Sequence, residues 1–321
     1  MDIRHPAFFV FGPERSGTTL LTFLLSGQPT LFVLNDSFVF DRYVEWTLLR
    51  AAPGDLPKLR RLSRLATGLA PSLRLRDLGG LRDWRRPYHA ARGRHALRLD
   101  AEEVVSPAEI RGYHDLLKAR YLLSLAHQRS SFLNEYVNGL PQPPENGCTR
   151  KDLLSHTIAS VSGLFVDPAD SMLGEKTPIH TAYAEWILRL YPHAKALAMV
   201  RHPVANVASI FKRYGDFERS VEAYSVYAAA LVELSESSRV MTVRHEDLVS
   251  STSRTVEAIL RFLDPALPFD AACPVNSYTK SEYTGGAVDV SRLETASDAL
   301  SPRQQREIRA RFSEVERRFY E

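Results

Sequence analysis

Residues Phe8–Leu25, FFVFGPERSGTTLLTFLL, decide how the rest of the chain is read. Phe8, Phe9, Val10 and Phe11 form an unbroken apolar run with the length and bulk of a strand buried on both faces. Gly12-Pro13-Glu14-Arg15-Ser16-Gly17 then turns the chain. Thr18-Thr19 opens a helix in which Leu20, Leu21, Leu24 and Leu25 spread round most of the surface. A strand, a glycine-bounded loop and a helix N-terminus make a phosphate cradle, because successive backbone N–H groups and the helix dipole converge on one anion.

The spacing Gly12-x4-Gly17 is that of the triphosphate loop GxxxxGK[ST], but the lysine position holds Thr18. Phosphoryl transfer needs that lysine on the transferring phosphate, so its loss argues against a kinase using ATP and Mg²⁺. The cation sits inside the loop instead, as Arg15. The cradle is kept and its charge is moved toward a different anion. A chance Gly/Ser/Thr turn before a core helix is the plain alternative for this segment alone.

A chain of 321 residues, 44% hydrophobic and 25% charged, is long enough for one large domain or one domain with a sizeable insertion. A net charge of +3 is too small for the whole-molecule field to argue for nucleic acid. Two cysteines, Cys148 and Cys273, suggest neither a disulfide framework nor a metal cluster. The start, MDIRHPAFF, reaches its first strand at once and leaves no room for a signal peptide, and no apolar run approaches membrane-spanning length. The expectation is a cytoplasmic protein with no membrane or nucleic-acid partner. A homo-oligomer remains open.

Gly27-Gln28-Pro29 stops the first helix, and Leu31–Leu34 reads as a second strand ending in Asn35-Asp36. From about 37 to 170 the character changes to helical periodicity interrupted by prolines, with arginine dense between Arg60 and Arg98, so this is read as a helical insertion. The α/β pattern resumes at 171. Strands are expected at Met172–Lys176, Lys195–Val200 and Val240–Val243. Helices are expected around Ala184–Leu190, after Pro203, over Phe217–Leu234, over Thr255–Leu263 and from Ser301-Pro302 onward. Alternation of this kind predicts an α/β fold: a mainly parallel, doubly wound sheet of P-loop type, with the insertion at 37–170 inside one domain spanning 1–321.

Gly12–Arg15, Asp36, Lys176 and Arg201 each fall at or just after the C-terminal end of a predicted strand. In a parallel sheet those ends share one edge, where ligands of open α/β sheets bind. Any α/β protein puts polar residues in its loops. Here, however, they are three cations and a carboxylate beside an anion cradle.

The loop with Arg15 inside it resembles the 5′-phosphosulfate loop of sulfotransferases that use PAPS (3′-phosphoadenylyl sulfate). Val200-Arg201-His202-Pro203 and the following helix strengthen the resemblance. In that family an arginine just after a strand and a serine eight residues on bind the nucleotide's 3′-phosphate, and Arg201 and Ser209 match both type and spacing. Arginine suits the task, since its planar fork donates twice to phosphate oxygens. Gly174-Glu175-Lys176-Thr177-Pro178 is similar to the Lys-x-Pro segment of the tyrosylprotein and related bacterial sulfotransferases, which implies that Lys176 supports the sulfonate and the leaving oxygen. His180 is read as packed or capping rather than catalytic.

The same enzymes place a general base shortly after the second strand, where Asp36 is the nearest carboxylate. Their residue is usually glutamate, Asn35 matches if the turn differs by one, and Asp36 could instead cap the next helix. A histidine of the insertion (His89, His95, His114 or His127) is the fallback. The C-terminal Arg-Lys-Gly-x-x-Gly loop of the cytosolic branch is missing. Lys280–Gly286 falls in a comparable place, with Tyr278 or Tyr283 as adenine contacts. His245-Glu246-Asp247-Leu248 resembles a family segment and is read as structural.

The resemblance implies a PAPS-dependent enzyme that releases PAP (3′,5′-ADP) and transfers a sulfuryl group to a hydroxyl of a small-molecule or glycan acceptor, with an amine as the lesser alternative. Gly12, Arg15, Ser16, Gly17, Thr18, Thr19, Arg201, Ser209 and Tyr283 would bind nucleotide; Arg15, Lys176 and Asp36 would do the chemistry; no metal is implied. The insertion would form the acceptor pocket, with Phe38, Phe40, Tyr43, Trp46, Trp84 and Tyr88 as candidate walls, although such aromatics are also ordinary core residues. A kinase and a non-catalytic nucleotide-binding module are the alternatives.

Overall fold

β1 (Phe8–Phe11), the apolar run at the start of the chain, lies at the centre of a five-stranded sheet, and all four of its residues are buried. The computed structural model describes residues 5–51, 96–128, 132–278, 288 and 297–321. In chain order β1 is followed by α1 (Thr18–Leu25), β2 (Leu31–Asn35), α2 (Val39–Ala51), β3 (Val104–Val105), α3 (Pro107–Gln128), α4 (Phe132–Asn138), β4 (Cys148–Thr149) and α5 (Arg150–Ser162). Then come β5 (Met172–Lys176), a 3-10 turn at Pro178–Tyr183, α6 (Ala184–Leu190), β6 (Lys195–Val200), α7 (Pro203–Tyr214) and α8 (Phe217–Leu234). β7 (Val240–Arg244), α9 (His245–Ser250), α10 (Thr252–Leu263), a 3-10 turn at Ser297–Ala299, α11 (Pro302–Arg311) and α12 (Ser313–Tyr320) complete the described elements.

The chain divides into two compact units, one of Pro6–Asp36, Pro168–Ala184 and Pro192–Glu321, the other built mainly from Ser37–Asp167 with Glu185–Tyr191. The first contains the sheet, whose order is β2-β5-β1-β6-β7 with every neighbouring pair parallel. The fold is therefore α/β with a parallel central sheet. The chain steps from β1 outward to β2, returns through β5, and then crosses to β6 on the far side of β1, so the reversal of direction falls beside β1.

Alternation along the strands sorts the side chains onto two faces. Phe8, Val10, Leu31, Val33, Leu197 and Met199 share a buried cluster with Leu21 and Leu24 of α1 and Val256, Ile259 and Leu260 of α10. Ala198 and Val200 turn the other way and pack with Leu231 of α8. Beyond them Val207, Ile210, Val221, Tyr224, Ile308, Phe312 and Val315 knit α7, α8, α11 and α12 together. β2 is an edge strand, and the hydroxyl of Tyr278 takes the place of a further neighbour: it accepts from the Asn35 amide (2.6 Å) and donates to the Val33 carbonyl (2.7 Å).

Some boundaries differ from the sequence reading. α10 begins at Thr252, three residues early, because Ser251 leaves the helical conformation there and separates it from α9. Pro178 opens a 3-10 turn ahead of α6. The C-terminal helix begins at Pro302 behind a capping box, Ser301 with Gln304, and is divided into two at Phe312.

In the second unit the aromatics proposed as pocket walls are mostly spoken for. Phe40 packs edge-on to Trp186 (6.0 Å) and Tyr43 edge-on to Tyr113 (5.2 Å), all four buried. The Arg120 guanidinium lies 4.3 Å from the Phe38 ring centroid, and that of Arg50 4.7 Å from Trp46. Buried Arg150 donates to Tyr43 Oη at 3.0 Å and pairs with Glu103. Trp84 and Tyr88 lie outside the described residues.

Within the sheet Phe8 of β1 is opposite Gly174 of β5, and a Cβ at 174 would sit 2.4 Å from the Phe8 ring. Overpacking of that kind costs about 1–3 kcal/mol. Gly174→Ala is therefore expected to lower the unfolding free energy by about that amount in urea titrations; an unchanged midpoint would show that the β1–β5 contact yields.

Candidate active site

Gly12 follows β1 where no side chain fits: a Cβ would meet the Met199 carbonyl oxygen at 2.7 Å and the Thr18 methyl at 2.8 Å. Its amide donates to Thr181 Oγ1 at 2.8 Å, which ties the loop's first residue to the turn after β5. Arg15 adopts φ 67 and Gly17 φ 98, a left-handed pair that curls the loop back on itself. Buried Ser16 donates through Oγ to the Pro13 carbonyl at 2.8 Å. Gly17 is the N-cap of α1 and offers no side-chain cap, so the first-turn amides of α1 are left to an outside acceptor.

The second anion segment is bound directly to this loop. Arg201 follows β6, is 7% exposed, and donates from Nη1 to the Arg15 carbonyl at 3.1 Å. Ser209, two turns into α7, has its Oγ 3.3 Å from Arg15 Nε. Asn206, on the same helix, donates from Nδ2 to the Glu14 carbonyl at 2.9 Å, and Tyr214 Oη donates to the Glu14 carboxylate at 2.9 Å. The Glu14 charge is thus drawn toward α7. Burial pushes the Arg201 pKa below its ordinary value, with Arg15 adding to the effect and Glu246 opposing it. Arg201 Nε is buried without a hydrogen-bond partner among the described residues. An orphaned donor beside an anion cradle is suited to an anionic oxygen.

Lys176 is the last residue of β5 and faces the α1 side, as its register partner Val10 does. Its side chain is 1% exposed and donates from Nζ to Thr19 Oγ1 at 3.2 Å and to Asp36 Oδ1 at 3.0 Å. Asp36 adopts φ 54, and its amide donates to the Lys176 carbonyl at 2.6 Å, so backbone and side chain both join the ends of β2 and β5. Helix α2 begins at Val39, whose amide is 3.3 Å from Ser37 Oγ, so the contact at that helix start comes from Ser37. Glu175 faces the opposite way: its carboxylate is 2.9 Å from His180 Nδ1 and accepts from Thr177 Oγ1 at 2.7 Å, all fully buried. His180 is a packed residue.

The structure thus brings Gly12–Thr19, Asp36, Lys176, Arg201 and Ser209 to one edge of the sheet. Tyr283 and the Lys280–Gly286 loop lie outside the described residues, as do His89 and His95. Tyr278 packs its ring 4.7 Å from Phe32 in addition to bonding β2. His114 is buried in the other unit, where desolvation lowers its pKa to about 4; His127 falls in α3. Among the described residues, no group of three or more His, Cys, Asp or Glu gathers in a metal-binding arrangement, and no helix is long and apolar enough to cross a membrane.

His245, read from the sequence as structural, lies against the anion loop. His245 immediately follows β7, and its Nδ1 would be 2.6 Å from a Cβ at Gly17. It is 8% exposed, and Nδ1 has no partner among the described residues. The strand-end rule that selects Arg201 also selects His245, and that was the available signal.

A glycine-bounded loop at the switch point of a parallel sheet, with cations on the two strands flanking it, has the geometry of an anion-binding site. The profile of the sulfotransferase family matches residues 6–270, and the chain belongs to that family, whose reaction is sulfuryl transfer. Similar solved structures include the sulfotransferase domain from the Synechococcus PCC 7002 olefin synthase, with 15% identity, TM-score 0.51, and coverage of 98% of this chain and 97% of that one. The sulfotransferase domain from the curacin biosynthetic pathway is 15% identical with TM-score 0.49, covering 97% of this chain and 98% of that one. Sulfotransferase STF9 from Mycobacterium avium is 14% identical with TM-score 0.45, covering 98% and 77%. At this identity, the likeness to the Synechococcus domain is one of fold. No curated protein matches in sequence.

Burial, with Arg201 nearby, lowers the His245 pKa to about 4. An unfolded imidazole takes its proton near 6.5, so between those values the unfolded state binds more protons and stability falls as pH falls. His245→Gln is expected to flatten the decline in unfolding free energy between pH 6.5 and 4, measured by denaturant titration at each pH; a slope equal to wild type would mean that His245 is protonated in the folded protein.

Proposed function

We propose that this sulfotransferase takes its sulfuryl group from PAPS, releases PAP, and delivers the group to a hydroxyl of a small-molecule or glycan acceptor. The observation that carries this reading is the Lys176 ammonium, which touches Thr19 of the cradle and the Asp36 carboxylate at once. Such a cation sits between a donor anion and a base. That is where charge moves in an in-line transfer.

In this reading the loop amides from Gly12 to Thr19, with Arg15, Ser16, Thr18 and Thr19, hold the 5′-phosphosulfate. Arg201 and Ser209 hold the 3′-phosphate. The hydrogen bonds from Arg201 to the Arg15 backbone and from Arg15 to Ser209 support a nucleotide that bridges the two segments. Asp36 uses Oδ1 for Lys176, and Oδ2, without a hydrogen-bond partner among the described residues, takes the acceptor hydroxyl's proton. The acceptor oxygen forms its bond to sulfur as the bond from sulfur to the 5′-phosphate oxygen breaks. Arg15 and Lys176 neutralise the charge left on that oxygen. The departing phosphate is a stable anion among cations, so the reaction asks for no metal. Residues 37–170 supply acceptor recognition, and Tyr283 contacts adenine.

Arg15→Ala and Lys176→Ala are each expected to reduce turnover by about 100-fold or more, followed as the mass gain of one SO₃ on acceptors incubated with PAPS. Near-normal rates in both, with the fold intact by circular dichroism, would end the proposal. Arg201→Ala is expected to weaken PAP binding by about 10-fold or more in calorimetry, the scale of one lost charged hydrogen-bond pair; full affinity would remove Arg201 from the 3′-phosphate site.

A further inference from the structure

Residues distant along the chain, Glu246, Glu316 and Tyr320, hold the backbone beside Arg201. The amide of His202, the next residue, donates to Glu246 Oε1 at 3.1 Å, and the other oxygen of that carboxylate accepts from Tyr320 Oη at 3.0 Å. Glu246 therefore joins the turn after β6 to the last turn of α12. A second link runs beside it. His202 Nε2 is 3.1 Å from Glu316 Oε1, which also accepts from Arg309 Nη1 at 2.9 Å. The Tyr320 ring stands edge-on to the His202 ring at 5.3 Å, with the Arg244 guanidinium 5.9 Å from its centroid.

These polar links sit on an independent apolar anchor. Val315 is 3% exposed in the α7–α8 cluster, and Phe319 packs against the cluster that Ala198 and Val200 of β6, the strand that delivers Arg201, form with Leu231. Burial and the neighbouring Glu246 push the Tyr320 pKa upward, so its hydroxyl remains a donor at neutral pH.

We propose that Tyr320 and Glu316 are positioning residues for recognition of the 3′-phosphate: acting through Glu246 and His202, they fix the backbone from which Arg201 projects. Neither is placed in contact with the nucleotide. Their role is to hold a buried guanidinium, whose Nε is unpaired among the described residues, in the one direction an incoming phosphate can use. The inference rests on the PAPS reading, and it predicts that the C-terminal helix governs discrimination between 3′-phosphorylated and plain adenosine nucleotides.

The test is calorimetry with PAP and with 5′-AMP, which lacks the 3′-phosphate, on wild type, Tyr320→Phe, Glu316→Gln and the double variant. Tyr320→Phe removes one O–H and retains the ring, so the packing of α12 is kept. The expected result is a PAP Kd raised about 5–10-fold in Tyr320→Phe and further in the double variant, the loss of one hydrogen bond to a charged group at each step. The 5′-AMP Kd is expected to stay within about twofold, below the size of one lost hydrogen bond. Two outcomes overturn the proposal: an unchanged PAP Kd in the double variant, or equal weakening of both nucleotides, which would mark the helix as a general structural support. A wild-type protein that does not prefer PAP to 5′-AMP would instead defeat the PAPS reading, and this inference with it.

Discussion

A lysine ammonium with 1% of its side chain exposed has to be paired, and the way Lys176 is paired organises the sheet edge around it. Removing such a charge from water costs several kcal/mol unless partners meet it. Here the partners come from two other chain segments, the Thr19 hydroxyl at the start of α1 and the Asp36 carboxylate after β2. One ammonium therefore requires the ends of β2 and β5 and the start of α1 to lie together. Asp36 accepts a left-handed backbone to reach it, a conformation that aspartate tolerates better than most residues.

Arg201 imposes a second constraint of the same kind on the other side of β1. It is nearly buried, it leans on a backbone carbonyl of the anion loop, and its carboxylate neighbour Glu246 is engaged by the His202 amide and by Tyr320. The loop between the two cations is stitched to α7 through Asn206, Tyr214 and Ser209 and to the turn after β5 through Thr181. An anion entering the cradle would meet groups already oriented by contacts that do not involve it. Preorganisation of this sort spares a transferase the cost of reorienting dipoles during the reaction.

Much of this edge was legible in the chain because it is local. Phe8–Phe11 reads as a buried strand and Gly12 and Gly17 bracket a loop, while Arg201 with Ser209 stood out by resemblance to the family's arginine and serine. Lys176 and Asp36 were found by the rule that strand C-termini share an edge. That rule was applied to four strands and not to the fifth, whose end carries His245. Thr181, Asn206 and Tyr320 left no local signature at all: their partners are 74 to 192 residues away along the chain, and nothing in a period or a spacing marks such a pair.

The amino-acid sequence by itself determined the alternation of strands and helices, the cradle and the kinds of charge placed around it, since these follow from side-chain periodicity and from what glycine, proline and arginine can do locally. Only the tertiary structure decided that β2 lies at the edge with Tyr278 closing it, that Lys176 meets Asp36 and Thr19, and that α12 stands behind Arg201. Parallel strands pair through long crossovers, so strand order and the identity of cross-chain partners are fixed by the packing of both sheet faces together, and no single segment carries that information.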